Sequence, residues 1–460
     1  MTLTKQKIND TVSLFLNSDT FIFFYSVFVL GVSFLDCNGI ILSVILLACA
    51  LIFFTQKNLK PLFVPLTLSY FSIRFIEGKF VFDWFFFFSA AIFLLSIIWY
   101  IARNKPSFRP TGNLKAIFPY AAAYVLAGSF AADYFTDKLF YEQLSLLALL
   151  VPSLAFFVLL AANSFFDHPE YVFKILFAMG AVVSLQMFLT AATTEHFWDT
   201  VFVEDTVTLN WGVYNGIVTA LLFSVPACFY LAAKHIRVCF LFVTAGFLFT
   251  LAGFFTASRA SAFTLAPLLL LCFFAALFAT EKKDRIKIVF SFLVCFAAAI
   301  VGIAVFSMTF RSLVNDLIGA LTVGGFNLGR DKVWAESIRF FLENPLFGLG
   351  LMHHHDVQQG GVVYGFWLSH NSIYQAFSSL GLFGFITLMI HNIYKYKTFL
   401  KADLFSFFGL IALIGTELYG LIDCLMPAPY YVFPLLLLIF SADRVNLQNE
   451  KKLPLKKTFR

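Results

Sequence analysis

The sequence predicts an all-α fold, a polytopic transmembrane helix bundle of about 12–14 spans with one large external loop containing short helices. Three observations predict it. Hydrophobic residues make up 60% of the chain and charged residues only 13%, against about 45–50% and about 25% in an ordinary soluble domain. The apolar residues come in runs close to the ~20 that a helix needs to cross a bilayer. Short basic clusters punctuate those runs on every second connection, as the positive-inside rule requires.

Taken in order, candidate spans fall near residues 19–35, 39–55, 60–76, 82–102, 117–133, 143–163, 171–191, 211–233, 238–257, 260–280, 288–309, 371–394, 402–421 and 428–442. The third carries Arg74 and the last is short. With both termini in the cytosol, 24 of the 32 Lys and Arg lie on inner segments. The exceptions are Arg74, Lys79, Lys138, Arg259, Arg311, Arg330, Lys332 and Arg339, most of them gathered at one outer region. The N-terminal stretch MTLTKQKINDTVSLFLNSDT has no small-residue cleavage site after a short apolar run, and reads as a cytosolic tail. Residues 1–460 are therefore expected to form a single integral membrane domain, with residues 310–371 as its extracytoplasmic loop.

Composition also excludes classes of function. The net charge of +6 is spread in short clusters between apolar runs and not along one face, which argues against a nucleic-acid partner. The seven Cys show no C-x-x-C, and most sit inside apolar runs as small hydrophobes. Only Cys37 and Cys424 fall in outer loops, where a disulfide between them is open. No P-loop, no G-x-G-x-x-G after a strand and no D-x-D pair is present, so the energy source is expected within the substrate.

The outer loop holds most of the polar chemistry. Asp331 to Glu343 reads as a helix, with Val333, Trp334, Ile338 and Phe341 on an apolar stripe. Asn344-Pro345 stops it, and Trp334 and Phe341 are expected to face the membrane surface. Arg259, in the ASRAS turn between two spans, is either a guanidinium snorkelling to lipid phosphates or a fixed cation for an anionic headgroup. Arg330, in the first turn of the loop helix, either pairs with a nearby acid or adds charge to an anion-binding helix N-terminus. Arg339 can pair with Glu336 or Glu343. His370, at the boundary of a span, is the candidate proton-transfer group, because imidazole ordinarily titrates near pH ~6.5; the alternative is a simple interfacial residue. Asn371 can orient a hydroxyl or cap the span. His353, His354 and His355 are consecutive, so in an extended loop they point in alternating directions and do not make a three-ligand metal face. No metal site and no cofactor is expected. Glu204 and Asp205 can activate a hydroxyl or stand as ordinary wet-loop charges.

Five elements in order, with Asn215 before them, carry a resemblance: Asn215 in NWGVYNGIVTALLFSVP, Ser258-Arg259, Gly329-Arg330 with Trp334 one turn on, ENPLFGLG, His370-Asn371, and GLFG at 381–384. Across about residues 205–390 this resembles the O-antigen ligase and O-antigen polymerase family, membrane enzymes that move glycans off polyprenyl diphosphate carriers. The resemblance implies metal-independent, inverting glycosyl transfer at the outer face of the cytoplasmic membrane, in surface-polysaccharide biosynthesis. It implies an undecaprenyl diphosphate-linked donor and a glycan, lipid or protein acceptor, with a lean towards polymerase. By position it assigns Arg259 and Arg330 to the diphosphate, His370 to the acceptor proton, and Asn215, Trp334 and Asn371 to support. The pair Tyr214-Asn215 departs from the family's Pro-bracketed Asn, and the three consecutive His lie outside its pattern. The alternative class is a lipid-linked oligosaccharide flippase or transporter. That class is expected to carry internal repeats and mid-membrane charges in several helices.

Overall fold

The computed structural model describes residues 10–74, 82–108, 112–119, 121–123, 153–166, 168–195, 197, 208–256, 258–305, 330–350, 355–359, 362–366, 369–401, 403–425 and 428–449. The principal helices are α1 (Asp19–Val32), α2 (Asn38–Thr55), α3 (Trp84–Asn104), α4 (Glu170–Thr193), α5 (Tyr214–Lys234) and α6 (Cys239–Phe254). They continue as α7 (Arg259–Ala279), α8 (Arg285–Val305), α9 (Arg330–Glu343), α10 (Ser372–Phe399), α11 (Leu404–Gly420) and α12 (Pro429–Asn449). Two antiparallel hairpins accompany them, β1 (Thr208–Leu209) with β2 (Gly212–Val213) and β3 (His355–Gln359) with β4 (Val362–Phe366). The protein is a multi-pass, all-α bundle. Among the described residues seven helices are long and apolar enough to cross a membrane, or eight if the bent pair Asp10–Leu16 and Asp19–Val32 is one span. Helices α6, α11 and the first part of α12 are shorter apolar companions.

Helix is the expected solution for such a chain, because each backbone N–H and C=O must find its partner within the segment. Polar caps mark several starts. Ser18 accepts from the Phe21 N–H, Asp83 from Phe86, and Asp403 from Ser406. One window fails. Its described part, residues 60–74, forms no single long helix but consecutive short helical segments, the 3-10 turns Lys60–Leu62 and Ser69–Ser72 on either side of the short α-helix Phe63–Leu68. Pro61 and Pro65 interrupt the backbone ladder there, and the stack ends at Arg74, whose backbone is held by the Asn38 side chain. The windows at 117–133 and 143–163 lie largely outside the described residues.

Burial sorts the helices. The central one is α5, with 94% of its apolar window buried, whereas α3 at 17% stands at the periphery. Phe87, Phe88, Leu95 and Ile98 on α3 are exposed, the pattern expected of a lipid-facing surface. Around α5 pack α4, α6, α7, α11 and α12. Close approach of α4 depends on Gly180, where an added Cβ would lie 2.5 Å from Ser224 Cβ.

Helix α10 is broken at Gly381, which has φ 63° and ψ −160°, a region open in practice only to glycine. A straight helix of 28 residues would be about 42 Å long. Yet its ends meet the two ends of the much shorter α11, with Ser372 beside Gly420 and Phe399 against Phe405. The break therefore turns the first third of α10 away from the axis of the rest. Helix α9 packs on α10.

Candidate active site

The turn after α11 gathers the polar residues. His370 follows Ser369 at the entrance to α10 and adopts a left-handed backbone conformation, φ 47°. Its Nδ1 lies 3.1 Å from Oδ1 of Asp423. The imidazole is 37% exposed and the carboxylate only 7%. A carboxylate at Nδ1 keeps the ring proton on that nitrogen, so the Nε2 lone pair is left on the other edge of the ring. Asp423 is thus positioned to orient the imidazole.

Asn371 is the N-cap of α10. Its Oδ1 accepts from the N–H groups of Ile373 and Tyr374 at 2.9 and 3.2 Å, and its Nδ2 donates to the Leu421 carbonyl at 2.8 Å. Both ends of the amide are occupied in structure, so of the two roles open to Asn371 the cap is the one observed. Ser372 completes the junction, its hydroxyl donating to the Asp423 carbonyl and accepting from the Leu425 N–H. Four consecutive residues, Ser369 to Ser372, are therefore fixed against α9 and the 421–425 turn.

Arg330 reaches the same turn from the other side. Its Nη1 donates to the Ile422 carbonyl, one residue before Asp423. Trp334, one helical turn later, donates from Nε1 to the Ser369 carbonyl at 3.0 Å and stacks on Tyr374 with ring centroids 5.2 Å apart. Phe341 packs edge-on to Phe377. Contrary to the sequence reading, Trp334 and Phe341 face α10; Ile338 and Leu342 are the exposed apolar residues of α9. Arg339 bridges Glu336 and Glu343 as its spacing suggested.

Below Arg330 and Trp334 opens a cleft of about 510 Å³. Its walls are apolar, Phe263, Pro267 and Leu271 from α7 and Ile414 and Leu418 from α11. Arg330 is its charged member. Arg259 is the first residue of α7, one turn above Phe263, which puts its backbone at the mouth end of the cleft wall. Asn215 does not enter the cleft lining. Its Oδ1 accepts from Tyr419 at 2.8 Å, which ties α5 to the last turn of α11.

Residues 240–389 match the family model described as O-antigen ligase. That stretch, about a third of the chain, is similar to the O-antigen ligase family. No curated protein matches the chain. Of the residues singled out in the sequence, Arg259, Arg330, Trp334, His370 and Asn371 fall inside the O-antigen ligase match, and Asn215 falls outside it.

Three features of the chain escaped sequence reasoning. Asp423 lies beyond the matched stretch, 53 residues from His370. Its signal was a lone carboxylate in the apolar stretch GLIDCLMP. Lys395 does not stand in a cytosolic loop. Its side chain is fully buried and paired with Glu417, which also accepts from Tyr431 at 3.0 Å. Neither residue of that pair lines the cleft. Finally, ENPLFGLG and GLFG contact each other. In an unbroken helix the Leu382 and Phe383 N–H groups would donate to the Ser378 and Ser379 carbonyls. Instead Leu382 donates to Pro345 at 2.8 Å and Phe383 to Leu346 at 3.1 Å, while Ser378 and Ser379 accept from Leu349 and Gly350, both at 2.9 Å.

Cys37 and Cys424 are free thiols. Burial, with the nearby Asp423 charge, pushes the Cys424 thiol up to about 12, which removes it as a nucleophile. No group of three His, Cys, Asp or Glu able to hold a metal occurs among the described residues. His355 begins β3; His353, His354, Glu204 and Asp205 lie outside the described residues.

Proposed function

We propose that the protein is a surface-polysaccharide glycosyltransferase that moves a glycan from undecaprenyl diphosphate to an acceptor hydroxyl. The observation that carries this reading is the placing of a carboxylate-oriented histidine and an arginine on successive residues of one turn, at the head of an apolar cleft. The family match supports a transfer of the O-antigen ligase or polymerase type.

In this reading the prenyl chain lies in the cleft between α7 and α11, and its diphosphate sits at the mouth. Arg330 and Arg259 hold the diphosphate, whose bidentate oxygens match a guanidinium fork. The acceptor hydroxyl gives its proton to Nε2 of His370 as its oxygen attacks the anomeric carbon. The bond from that carbon to the phosphate oxygen breaks, and undecaprenyl diphosphate departs with the electron pair. A single displacement from the face opposite the leaving group inverts the anomeric centre. The arginines stabilise the charge that grows on the departing diphosphate. Metal is not required, because protein cations supply the stabilisation. Trp334 holds α9 in place, Asn371 fixes the start of α10, and Asn215 steadies α11.

The bias of Lys and Arg supports cytosolic termini and a site on the outer face of the cytoplasmic membrane. The test is transfer by purified protein from a lipid diphosphate glycan to lipid-linked and free glycan acceptors, with the anomeric configuration of the product read by NMR. An inverted linkage is expected. A retained configuration would exclude the single displacement, and the absence of transfer to every acceptor would return the flippase reading.

A further inference from the structure

The exchange of hydrogen bonds between the loop and the broken helix gives ENPLFGLG and GLFG a definite task. Two helical bonds are lost at Gly381, which frees two donors and two acceptors, and the segment Pro345–Gly350 supplies a partner for all four. The match requires unusual backbone on both sides. Gly348 has φ 70°, and an added Cβ there would meet the Ser379 backbone at 2.5 Å; at Gly381 it would meet the Leu346 backbone at 2.6 Å. Each glycine therefore sits where only a residue without a side chain allows the other segment to approach.

What this junction fixes is the register of α9. Along its length α9 touches α10 through Trp334 and Tyr374 and through Phe341 and Phe377, and the residue leading into α10 through Ser337 and Ser369, and the exchange ends the series. At its start α9 presents Arg330 to Ile422, beside the Asp423 that holds His370. A slip of α9 along α10 by one helical position would move Arg330 by about 1.5 Å, enough to part it from the Ile422 carbonyl.

We propose that Gly348 and Gly381 are positioning residues, forming a backbone clasp that sets the reach of Arg330 relative to His370. The effect on transfer rests on Arg330 acting on the donor diphosphate; the clasp itself does not.

The experiment has two arms, run in a Cys37→Ser background because Cys37 is a half-buried free thiol. In the first, Phe341→Cys and Phe377→Cys are joined by a short bis-methanethiosulfonate, and the cross-linking yield is compared with and without Gly381→Ala. The second is a double-mutant cycle on transfer between Gly381→Ala and Arg330→Lys. Leu382→Pro serves as a gentler variant, since it removes one clasp donor at the first position of the lower helix, where proline is tolerated. Gly180→Ala, which crowds the distant contact between α4 and α5, is the control for general destabilisation.

The clasp predicts lower cross-linking in Gly381→Ala and in Leu382→Pro, and about a tenfold loss of transfer that largely disappears when Arg330 is already Lys. Gly180→Ala should multiply with Arg330→Lys. Applying the cross-linker should restore part of the transfer lost in Leu382→Pro. Unchanged cross-linking would overturn the clasp. Normal cross-linking loss with fully multiplicative rate effects would overturn its link to Arg330. If the unaltered protein transfers nothing, the functional reading fails, and the cross-linking arm still decides the clasp.

Discussion

The substitution Asp423→Asn isolates the contribution of the residue behind His370. The carboxylate is nearly buried and its Oδ1 lies 3.1 Å from Nδ1, so the amide fits the same space while the charge is lost. A hydrogen bond to a charged group contributes about 1.5–3 kcal/mol. At 1.36 kcal/mol for each factor of ten, that is about 10- to 150-fold in rate. Because the imidazole is more than a third exposed, solvent screens the pair, and the expected loss lies in the lower part, about 10- to 50-fold in kcat/KM. An amide can also donate to Nδ1 and select the tautomer whose Nε2 carries the proton, which adds to the loss. His370→Ala should lose more, about 10²- to 10⁴-fold, as general bases do. The assay is initial-rate transfer from a lipid diphosphate donor, with donor KM and kcat separated. The loss should fall on kcat, because Asp423 bonds to His370 and not to Arg330. In the double variant Asp423→Asn/His370→Ala the rate should equal that of His370→Ala alone. A normal rate in Asp423→Asn, or a double variant slower than His370→Ala by the full single-mutant factor, would refute the orienting role.

Other substitutions test the surroundings. Leu418→Trp fills the cleft from its α11 wall and should raise the KM for a full-length prenyl donor about tenfold while leaving a short-chain analogue within about twofold; equal effects on both would contradict the lipid assignment. Lys395→Met leaves the Glu417 carboxylate without its cation inside the bundle, which should destabilise by about 3 kcal/mol. The pair Lys395→Met/Glu417→Leu should recover most of the lost thermal stability; no recovery would deny that the two charges act as a pair.

Much of this architecture was readable from residues alone because its signals are local. Apolar runs of bilayer length, the Asn344-Pro345 stop and the His370-Asn371 boundary all act within a few residues of where they are written. Helix α9 accordingly appears at Arg330–Glu343, within one residue of expectation. The losses have a common physical origin in tertiary pairing. Residues 60–76 had the composition of a span, but prolines and the Asn38 side chain at Arg74 leave residues 60–74 as consecutive short helical segments. Trp334 and Phe341 shared a stripe with Ile338, and only the presence of the folded-over third of α10 decides which of these is covered. Asp423 is brought to His370 by the packing of α10 on α11, which no spacing within the sequence encodes. The two glycine motifs were each visible; that they are halves of one junction depends on the break at Gly381.

The central claim is that fixed arginines and an oriented histidine perform transfer from a lipid diphosphate without metal. Transfer of a labelled glycan by the purified protein in EDTA, for the unaltered chain and for Arg259→Ala, Arg330→Ala and His370→Ala, tests it most directly. The account predicts full turnover by the unaltered chain in EDTA and loss of at least about 10²-fold in each folded variant. Turnover that persists in the variants, or that EDTA abolishes in the unaltered chain, would contradict it.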